Sequence, residues 1–142
     1  MRTVILVLIA VAALAVGLLF WHVQTLGPPP APASGPQVLS IEFPKQITAD
    51  GNEVSGKVHF RAPSGTLVRA DFQVVKAMLF TSFSFDPQVH NEKQGSFVFS
   101  ISTVIPQQIT LRVTLTDEQG QTSPVKEFSF TVNPAPFNPG NP

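Results

Sequence analysis

The sequence predicts an all-β domain preceded by a single membrane-spanning helix. Hydrophobic side chains alternate with polar ones from Gln37 to Val132, and this region lacks the 3.6-residue period of an amphipathic helix. Residues 3–21 are instead continuously apolar apart from Thr3. Pro and Gly are concentrated in residues 27–36 and 134–142. These patterns divide the 142 residues into one compact domain with appendages.

The charge distribution argues against several classes of protein. Nine Lys and Arg residues balance nine Asp and Glu residues, which disfavours a strongly basic nucleic-acid-binding protein and an acidic disordered chain. No charged side chain lies between Arg2 and Glu42. The chain has no Cys, and therefore no disulfide framework, thiolate metal site or cysteine nucleophile. We expect no nucleic-acid partner and no cofactor.

The apolar stretch from Thr3 to Trp21 predicts a transmembrane signal-anchor helix over residues 3–22. Its nineteen residues rise about 28 Å as a helix, which matches a hydrocarbon core about 30 Å thick. Trp21 suits one headgroup layer, and Arg2 at the other end places the amino terminus in the cytoplasm. We therefore expect a single-pass membrane protein that contacts the lipid bilayer and carries a periplasmic or extracellular C-terminal domain.

A cleavable signal peptide is the alternative interpretation of this segment. The Ala-Leu-Ala of residues 13–15 and the Ala-Pro-Ala of residues 31–33 have the small-x-small form that a signal peptidase accepts. The first lies inside the apolar stretch, and the second contains Pro and lies well beyond it. The apolar core is also longer than the roughly 7–15 residues of a typical signal. Cleavage after Ala33 would release a secreted binding protein.

Two extended segments flank the predicted domain. In the Pro-rich linker, residues 23–36, the stretch 26–36 favours a polyproline II conformation, which at about 3.1 Å per residue holds the domain about 30 Å from the membrane. Residues 134–142 form a Pro- and Asn-rich tail. Because Pro lacks the N–H that a strand needs for pairing, the tail is predicted to be disordered.

Residues 37–133 are predicted to form a β-sandwich of seven short strands. The alternating runs place large apolar side chains on one face of each strand, so two sheets can share one core. The runs are Leu39–Phe43, Val54–Phe60, Val68–Val74, Leu79–Phe85, Phe97–Ile101, Ile109–Leu115 and Phe128–Val132.

The last two runs also predict their own pairing register. Inward residues have odd numbers in the first run and even numbers in the second, so a pairing that keeps both sets inward places Arg112 opposite Glu127. The same register places Asp117 opposite Thr122 across a four-residue loop. A bulge at Pro124 would shift the pairing by one or two residues.

Two sequence patterns resemble a known group of domains. They are Gly51-Asn52-x-Val54-x-Gly56-x-Val58-x-Phe60, and Val113-x-Leu115-x-Asp117-x-x-Gly120-x-x-Ser123 before a final Phe-Ser-Phe strand. Over about two thirds of the chain this resembles the bacterial immunoglobulin-like and fibronectin-III-like extracytoplasmic domains. The resemblance implies a seven-stranded immunoglobulin-like β-sandwich that serves as a spacer, an adhesion module or a protein-binding platform. The chain departs from better-known members because its domain has no Cys pair, Trp or Tyr, and hence no tyrosine corner.

No residue pattern predicts catalysis. His22, His59 and His90 lack the i, i+2 or i, i+4 spacing that fixes a metal ion. The Asp and Glu residues are scattered, and no Ser lies in a Gly-x-Ser-x-Gly turn. We therefore expect neither an enzyme nor a small-molecule substrate.

A calcium-dependent adhesin is a further alternative. Asp117 precedes Gly120 by three residues, and Asp86 or Glu118 would add oxygen ligands. No Asp-x-Asp spacing exists, however, and Asp at the start of a hairpin loop more often accepts hydrogen bonds from its own loop. We therefore predict no metal site.

Two surfaces are candidates for binding a partner. Met78 and Phe80 share a face and are predicted to form an exposed patch, unless the strand crosses between sheets. Lys57, His59 and Arg61, here called the basic stripe, project outward to meet an acidic partner or lipid headgroups. The alternative for the basic stripe is a solvated strand face or a charge-protected sheet edge. We predict a non-catalytic, membrane-anchored scaffold or interaction module that binds another envelope protein.

Overall fold

A computed structural model describes residues 34–137 and 139–140 of the chain. The predicted membrane helix at residues 3–22 and both predicted cleavage sites lie outside the described residues, as does the linker up to residue 33. Among the described residues, no helix has the length and hydropathy that crossing a bilayer requires.

Eight β-strands in the described part of the chain form two sheets. They are β1 (Gln37–Glu42), β2 (Gln46–Thr48), β3 (Val54–Arg61), β4 (Leu67–Lys76), β5 (Phe83–Phe85), β6 (Gln94–Ile101), β7 (Gln107–Asp117) and β8 (Lys126–Asn133). One sheet has the order β1-β3-β6 and the other the order β2-β8-β7-β4-β5. Neighbouring strands are antiparallel, except that β2 runs parallel to β8.

The hydrophobic core lies between the two sheets and is rich in Phe. Phe72 of β4 and Phe99 of β6 join the sheets, with ring centroids 4.8 Å apart. Phe43 follows β1, and its ring centroid lies 4.8 Å from that of Phe130 of β8, so this pair also joins the two sheets. Because full burial of a Phe side chain contributes about 1.5–3 kcal/mol, these rings are a main source of stability in a domain without disulfides.

The predicted register of the last two strands is confirmed. Arg112 of β7 lies opposite Glu127 of β8, and the Arg112 Nε lies 3.2 Å from the Glu127 Oε2. Towards the loop the pairing shifts by one residue, since Thr116 rather than Asp117 lies opposite Thr122. The predicted pairing of Asp117 with Thr122 is therefore wrong, and the difference is the one-residue shift that was given as the alternative.

The predicted number of seven strands is wrong, because the described residues contain eight. The additional strand is β2, in which Ile47 lies opposite Val132 of β8. A strand of three residues is too short to show an alternating pattern, which needs about four to eight residues. Ile47 is buried, so β2 covers the core beside β8.

Three side chains that were predicted to point inward are exposed: Leu39, Val68 and Leu79. Leu39 and Val68 lie at register shifts, the first between β1 and β3 and the second between β4 and β7. An extra residue in one strand moves the neighbouring side chains to the opposite face, which a regular alternation does not anticipate. Leu79 precedes β5, which begins only at Phe83.

Candidate functional site

The strand register assigns the loops to two ends of the sandwich. Val54 at the start of β3 lies opposite Ile101 at the end of β6, from which the chain crosses to β7. We call this the C-terminal end because β8 also finishes there, and its loops are 49–53, 77–82 and 102–106. The opposite end, where β1 begins, is the N-terminal end, and its loops are 62–66, 86–93 and 118–125.

The first described residues pack against the N-terminal end. Pro36 is fully buried immediately before β1. The Ser34 Oγ donates a hydrogen bond to the Oε1 of Gln121 at 3.5 Å, in the loop between β7 and β8. A Cβ atom on Gly35 would lie 3.2 Å from the same oxygen, so this segment follows the loop closely. The segment before residue 34 therefore joins the domain at its N-terminal end.

The most exposed large hydrophobic side chains of the described residues lie at or beyond the C-terminal end. Phe137 in the tail is 91% exposed, Met78 is 77% exposed, and Leu79 and Val104 are each 68% exposed. The loops 77–82 and 102–106, which carry the last three, contain no charged residue. We call Met78, Leu79 and Val104 the apolar end surface. Three exposed apolar side chains on two uncharged loops make this end a candidate interaction surface.

Gln107, the first residue of β7, holds the loop that carries Met78 and Leu79. Its Oε1 accepts hydrogen bonds from the backbone N–H groups of Met78 at 2.7 Å and Leu79 at 3.2 Å. Its Nε2 donates to the carbonyl oxygen of Leu79 at 3.2 Å. The Gln107 side chain is buried, so these hydrogen bonds are protected from water. The two apolar side chains are thus presented on a fixed loop.

The predicted pair of Met78 and Phe80 does not lie together on the surface. Met78 points into solvent, whereas Phe80 is half-buried with its ring centroid 6.4 Å from that of Phe83 in an edge geometry. Leu79 takes the exposed position because residues 77–82 form a loop, in which strand alternation does not apply. Sequence reasoning missed Leu79 and Val104, although the lack of charge in their loops was a visible signal. A partner-binding role for Met78 and Phe80 stays a prediction.

The basic stripe lies on the outer face of the three-stranded sheet. Lys57, His59 and Arg61 alternate along β3, which pairs with β1 and β6, so the alternative of a charge-protected edge is wrong. The Glu42 Oε1 on β1 lies 2.7 Å from the His59 Nε2, so a carboxylate lies beside the basic stripe. Lys57 and Arg61 form no ion pair within the described residues. A partner-binding role for the basic stripe stays a prediction.

A shallow groove of about 580 Å³ lies beside the basic stripe. Its walls include Phe43 and Pro44 after β1 and Val98 of β6. The titratable groups that line it are Glu42 and Lys57, without a His or a second carboxylate. The lining is mixed apolar and charged and offers no general acid–base pair.

The predicted role of Asp117 as a loop-stabilising residue is confirmed. Its Oδ1 accepts hydrogen bonds from the backbone N–H groups of Gln119 at 3.0 Å and Gln121 at 2.8 Å. Asp86 likewise accepts a hydrogen bond from the N–H of Gln88 at 2.8 Å. Across the described residues, His, Cys, Asp and Glu side chains nowhere come together in a group of three that would hold a metal ion.

Comparison with known proteins relates this chain to others through its fold. No protein-family model and no curated protein matches the sequence. The PKD domain of an M14-like peptidase from Thermoplasmatales archaeon SCGC AB-540-F20 superposes with a TM-score of 0.51 and 12% sequence identity, over 68% of this chain and 94% of that domain. The domain described here is an immunoglobulin-like β-sandwich.

A second solved structure is less similar. The sulfur carrier protein SoxY from Chlorobium limicola f thiosulfatophilum superposes with a TM-score of 0.42 and 15% identity, over 84% of this chain and 98% of that chain. At this level of similarity, neither the fold nor the function of this chain is inferred from it.

Proposed function

We propose that this chain is a non-catalytic interaction module, anchored in a membrane by residues 3–22, that displays its sandwich outside the cytoplasm and binds another envelope protein. The observation that carries the proposal is the position of the apolar end surface. Met78, Leu79 and Val104 lie at the end of the sandwich opposite to the one that residue 34 joins.

The continuously apolar sequence of residues 3–21 supports the anchor, and Arg2 at its start supports a cytoplasmic amino terminus. Residue 34 joins the domain at the N-terminal end, so the apolar end surface lies away from the point at which the linker enters.

The composition of the apolar end surface defines the partner that it fits. Its loops are uncharged and present Met and aliphatic side chains, so the complementary surface is apolar. Burial of Met78 or Leu79 contributes about 1.5–3 kcal/mol each, which corresponds to roughly a tenfold to hundredfold change in affinity. Phe80 of the same loop packs against the core, with its ring edge-on to that of Phe83.

Site-specific photocrosslinking in membranes tests the proposed partner contact. A photoreactive phenylalanine analogue at Leu79 of the full chain is expected to give an adduct of one discrete mass with another envelope protein. The matched position is Val125, which is 57% exposed at the N-terminal end and should give no such adduct. Equal adducts at both positions, or none at Leu79, would contradict a partner at the C-terminal end.

Leu79→Ser and Met78→Ser are expected to reduce that adduct when the crosslinker is placed at Val104. Val125→Ser is the control, because it removes a comparably exposed side chain at the other end. An adduct that survives both loop substitutions would place the contact elsewhere on the domain.

The basic stripe supplies a second contact in this proposal, with an acidic partner surface. Lys57→Glu with Arg61→Glu should weaken the adduct and reduce its sensitivity to salt. Lys126→Glu is the control, because Lys126 is exposed on the other sheet. An unchanged salt dependence would remove the stripe from the contact.

Membrane anchoring is tested independently of the partner. Protease added to intact spheroplasts should digest the sandwich, and sequencing of the mature amino terminus should recover Met1 or Arg2. A mature chain that begins after Ala33 would instead establish the secreted binding protein. A sandwich protected until lysis would place the domain in the cytoplasm.

A further inference from the structure

Strand β6, Gln94–Ile101, forms one edge of the three-stranded sheet and pairs only with β3 in the described structure. It is eight residues long, and its register with β3 is unbroken. Residues 94–101 contain neither a charged side chain nor Pro. Soluble proteins normally protect a sheet edge with charge, Pro, a bulge or a short strand. β6 has none of these protections.

The other three sheet edges are protected. β1 is interrupted by the register shift at Leu39 and ends in Glu42. β2 and β5, the edges of the five-stranded sheet, have three residues each. The unprotected edge is therefore a local property of β6 and not a general feature of the domain.

The ladder between β3 and β6 shows which backbone groups of β6 are free. The N–H of Ala62 donates to the carbonyl oxygen of Lys93 at 2.8 Å, which continues this antiparallel ladder beyond the strands. Hydrogen-bonded pairs alternate along such a ladder, so Gly95, Phe97 and Phe99 direct their backbone groups towards β3. The residues between them direct theirs to the free edge: Gln94, Ser96, Val98 and Ser100.

We propose that β6 is the interface of a homodimer, in which β6 of a second copy adds antiparallel to it about a twofold axis at Val98. The two three-stranded sheets then form one continuous sheet of the order β1-β3-β6-β6-β3-β1. Each copy satisfies the free backbone groups of the other, and the interface is closed because the twofold axis uses the same strand on both sides.

The register follows from side-chain faces. Residues that lie directly opposite each other must project from the same face, and the even-numbered residues of β6 are those that face outward. Val98 is 58% exposed and is the one apolar side chain among them, so its burial favours Val98 opposite Val98 of the second copy. Ser96 then lies opposite Ser100 of the second copy, and both are small enough for close pairing.

A second copy fits this edge better than a charged strand of another protein does. Self-pairing places each side chain of β6 near a copy of itself or its neighbours, so charges on the strand would repel one another. The absence of charge on β6 removes that repulsion, while it gives nothing for a charged partner strand to recognise. The nearest cation on the same sheet, Lys57, lies on β3 rather than at the interface.

Disulfide crosslinking of the full chain tests this arrangement, because the protein has no Cys of its own. Val98→Cys in membranes or reconstituted lipid vesicles should form a disulfide-linked dimer under mild oxidation, since Cα atoms of an antiparallel hydrogen-bonded pair lie about 5.5 Å apart. Val125→Cys is the matched control, with 57% exposure against 58% for Val98. We expect at least about tenfold more dimer from Val98→Cys than from the control.

Two further variants separate the β6 contact from other causes of dimerisation. Ser96→Cys mixed with Ser100→Cys should crosslink to each other more than either does alone. Val98→Glu should reduce the molar mass of the detergent-solubilised full chain from dimer to monomer, because the two copies of the new carboxylate would repel each other. It should not lower the melting temperature, because within one copy the carboxylate lies opposite Lys57 of β3. A dimer that persists in Val98→Glu, or crosslinking of Val98→Cys no faster than that of Val125→Cys, would overturn the proposal. A Val98→Cys adduct with a different protein in place of the disulfide-linked dimer would also overturn it.

Discussion

The Asp117 carboxylate ties the loop between β7 and β8 to the end of β7, where its Oδ1 accepts a hydrogen bond from the backbone N–H of Gln121 at 2.8 Å. The residue is almost completely buried, and Oδ2 accepts no hydrogen bond from any described residue. Gly120 completes the loop with a φ of 78°, in the left-handed region that favours glycine. One carboxylate oxygen and one glycine therefore supplement the backbone hydrogen bonds that close the loop.

Asp117→Ala is expected to lower the free energy of unfolding by about 1–3 kcal/mol, because two backbone N–H groups lose their acceptor. Asp117→Asn keeps an acceptor oxygen and should cost less. Glu118→Ala, an exposed neighbour in the same loop, should change stability by no more than about 0.5 kcal/mol. Urea unfolding followed by far-ultraviolet circular dichroism measures all three. Equal stability of the Ala and Asn variants would contradict the acceptor role.

Asp50 makes a similar turn before β3 and has a measurable pH signature. Its Oδ1 accepts a hydrogen bond from the backbone N–H of Asn52 at 2.9 Å, and this bond lowers the pKa of Asp50 below its usual value. The bond favours the ionised form, so its stabilisation is present above the unfolded pKa. It is lost as the pH falls through the lower, folded pKa.

A titration of Asp50 by carbon-13 NMR should therefore give a midpoint below that of Asp in an unfolded peptide. The difference in unfolding free energy between the wild type and Asp50→Ala should be largest near neutral pH and should shrink in acid. A midpoint above the peptide value would contradict the turn geometry. Because the lowered pKa comes mainly from the Asn52 hydrogen bond rather than from a distant charge, added salt should leave the direction of the shift unchanged.

Gly56 permits the close approach of two aromatic rings to β3. A Cβ atom at this position would overlap the ring of Phe99 and would lie 2.7 Å from the Cδ2 of Phe43. These two rings stack with centroids 5.6 Å apart. Gly56→Ala should therefore cost about 1–3 kcal/mol of unfolding free energy through overpacking.

A double-mutant cycle of Gly56→Ala with Phe99→Leu tests whether the cost comes from overpacking. That substitution should cost less in the Gly56→Ala background than in the wild type, because a smaller side chain makes room for the methyl group. Gly120→Ala is the contrasting variant, since nothing lies within 4 Å of its Cβ and its cost of about 1–2 kcal/mol comes from φ alone. Phe99→Leu should not interact with Gly120→Ala, and additivity in both cycles would contradict the overpacking argument.

Alternation along the sequence was sufficient to predict the regular strands and, at Arg112 and Glu127, a register. It failed at Leu39 and Val68 because one additional residue in a strand reverses the faces, and nothing local marks where a bulge will occur. It also failed for Leu79 and Phe80, whose exposures are reversed because a loop replaces the expected strand.

The grouping of strands into sheets could not be predicted from the sequence, because it depends on contacts between distant segments. The free edge of β6 becomes visible only when its single neighbour is known. The basic stripe is the converse case: its residues alternate as predicted, but the position of β3 at the centre of a sheet rules out edge protection.

Gln107 provides the most direct test of the apolar end surface, because it orders the backbone of Met78 and Leu79 without being exposed itself. Gln107→Ala leaves two N–H groups without an acceptor, at a cost of about 1–3 kcal/mol, so their hydrogen exchange should accelerate roughly tenfold or more. Gln108→Ala is the matched control, since the exposed Gln108 side chain forms one hydrogen bond among the described residues, in which the Lys76 Nζ donates to its Oε1 at 3.4 Å. Exchange at Met78 and Leu79 is measured by NMR or mass spectrometry. If photocrosslinking at Leu79 depends on the fixed loop, Gln107→Ala should reduce the adduct and Gln108→Ala should not. Equal exchange rates in the two variants would show that the loop is ordered by other contacts.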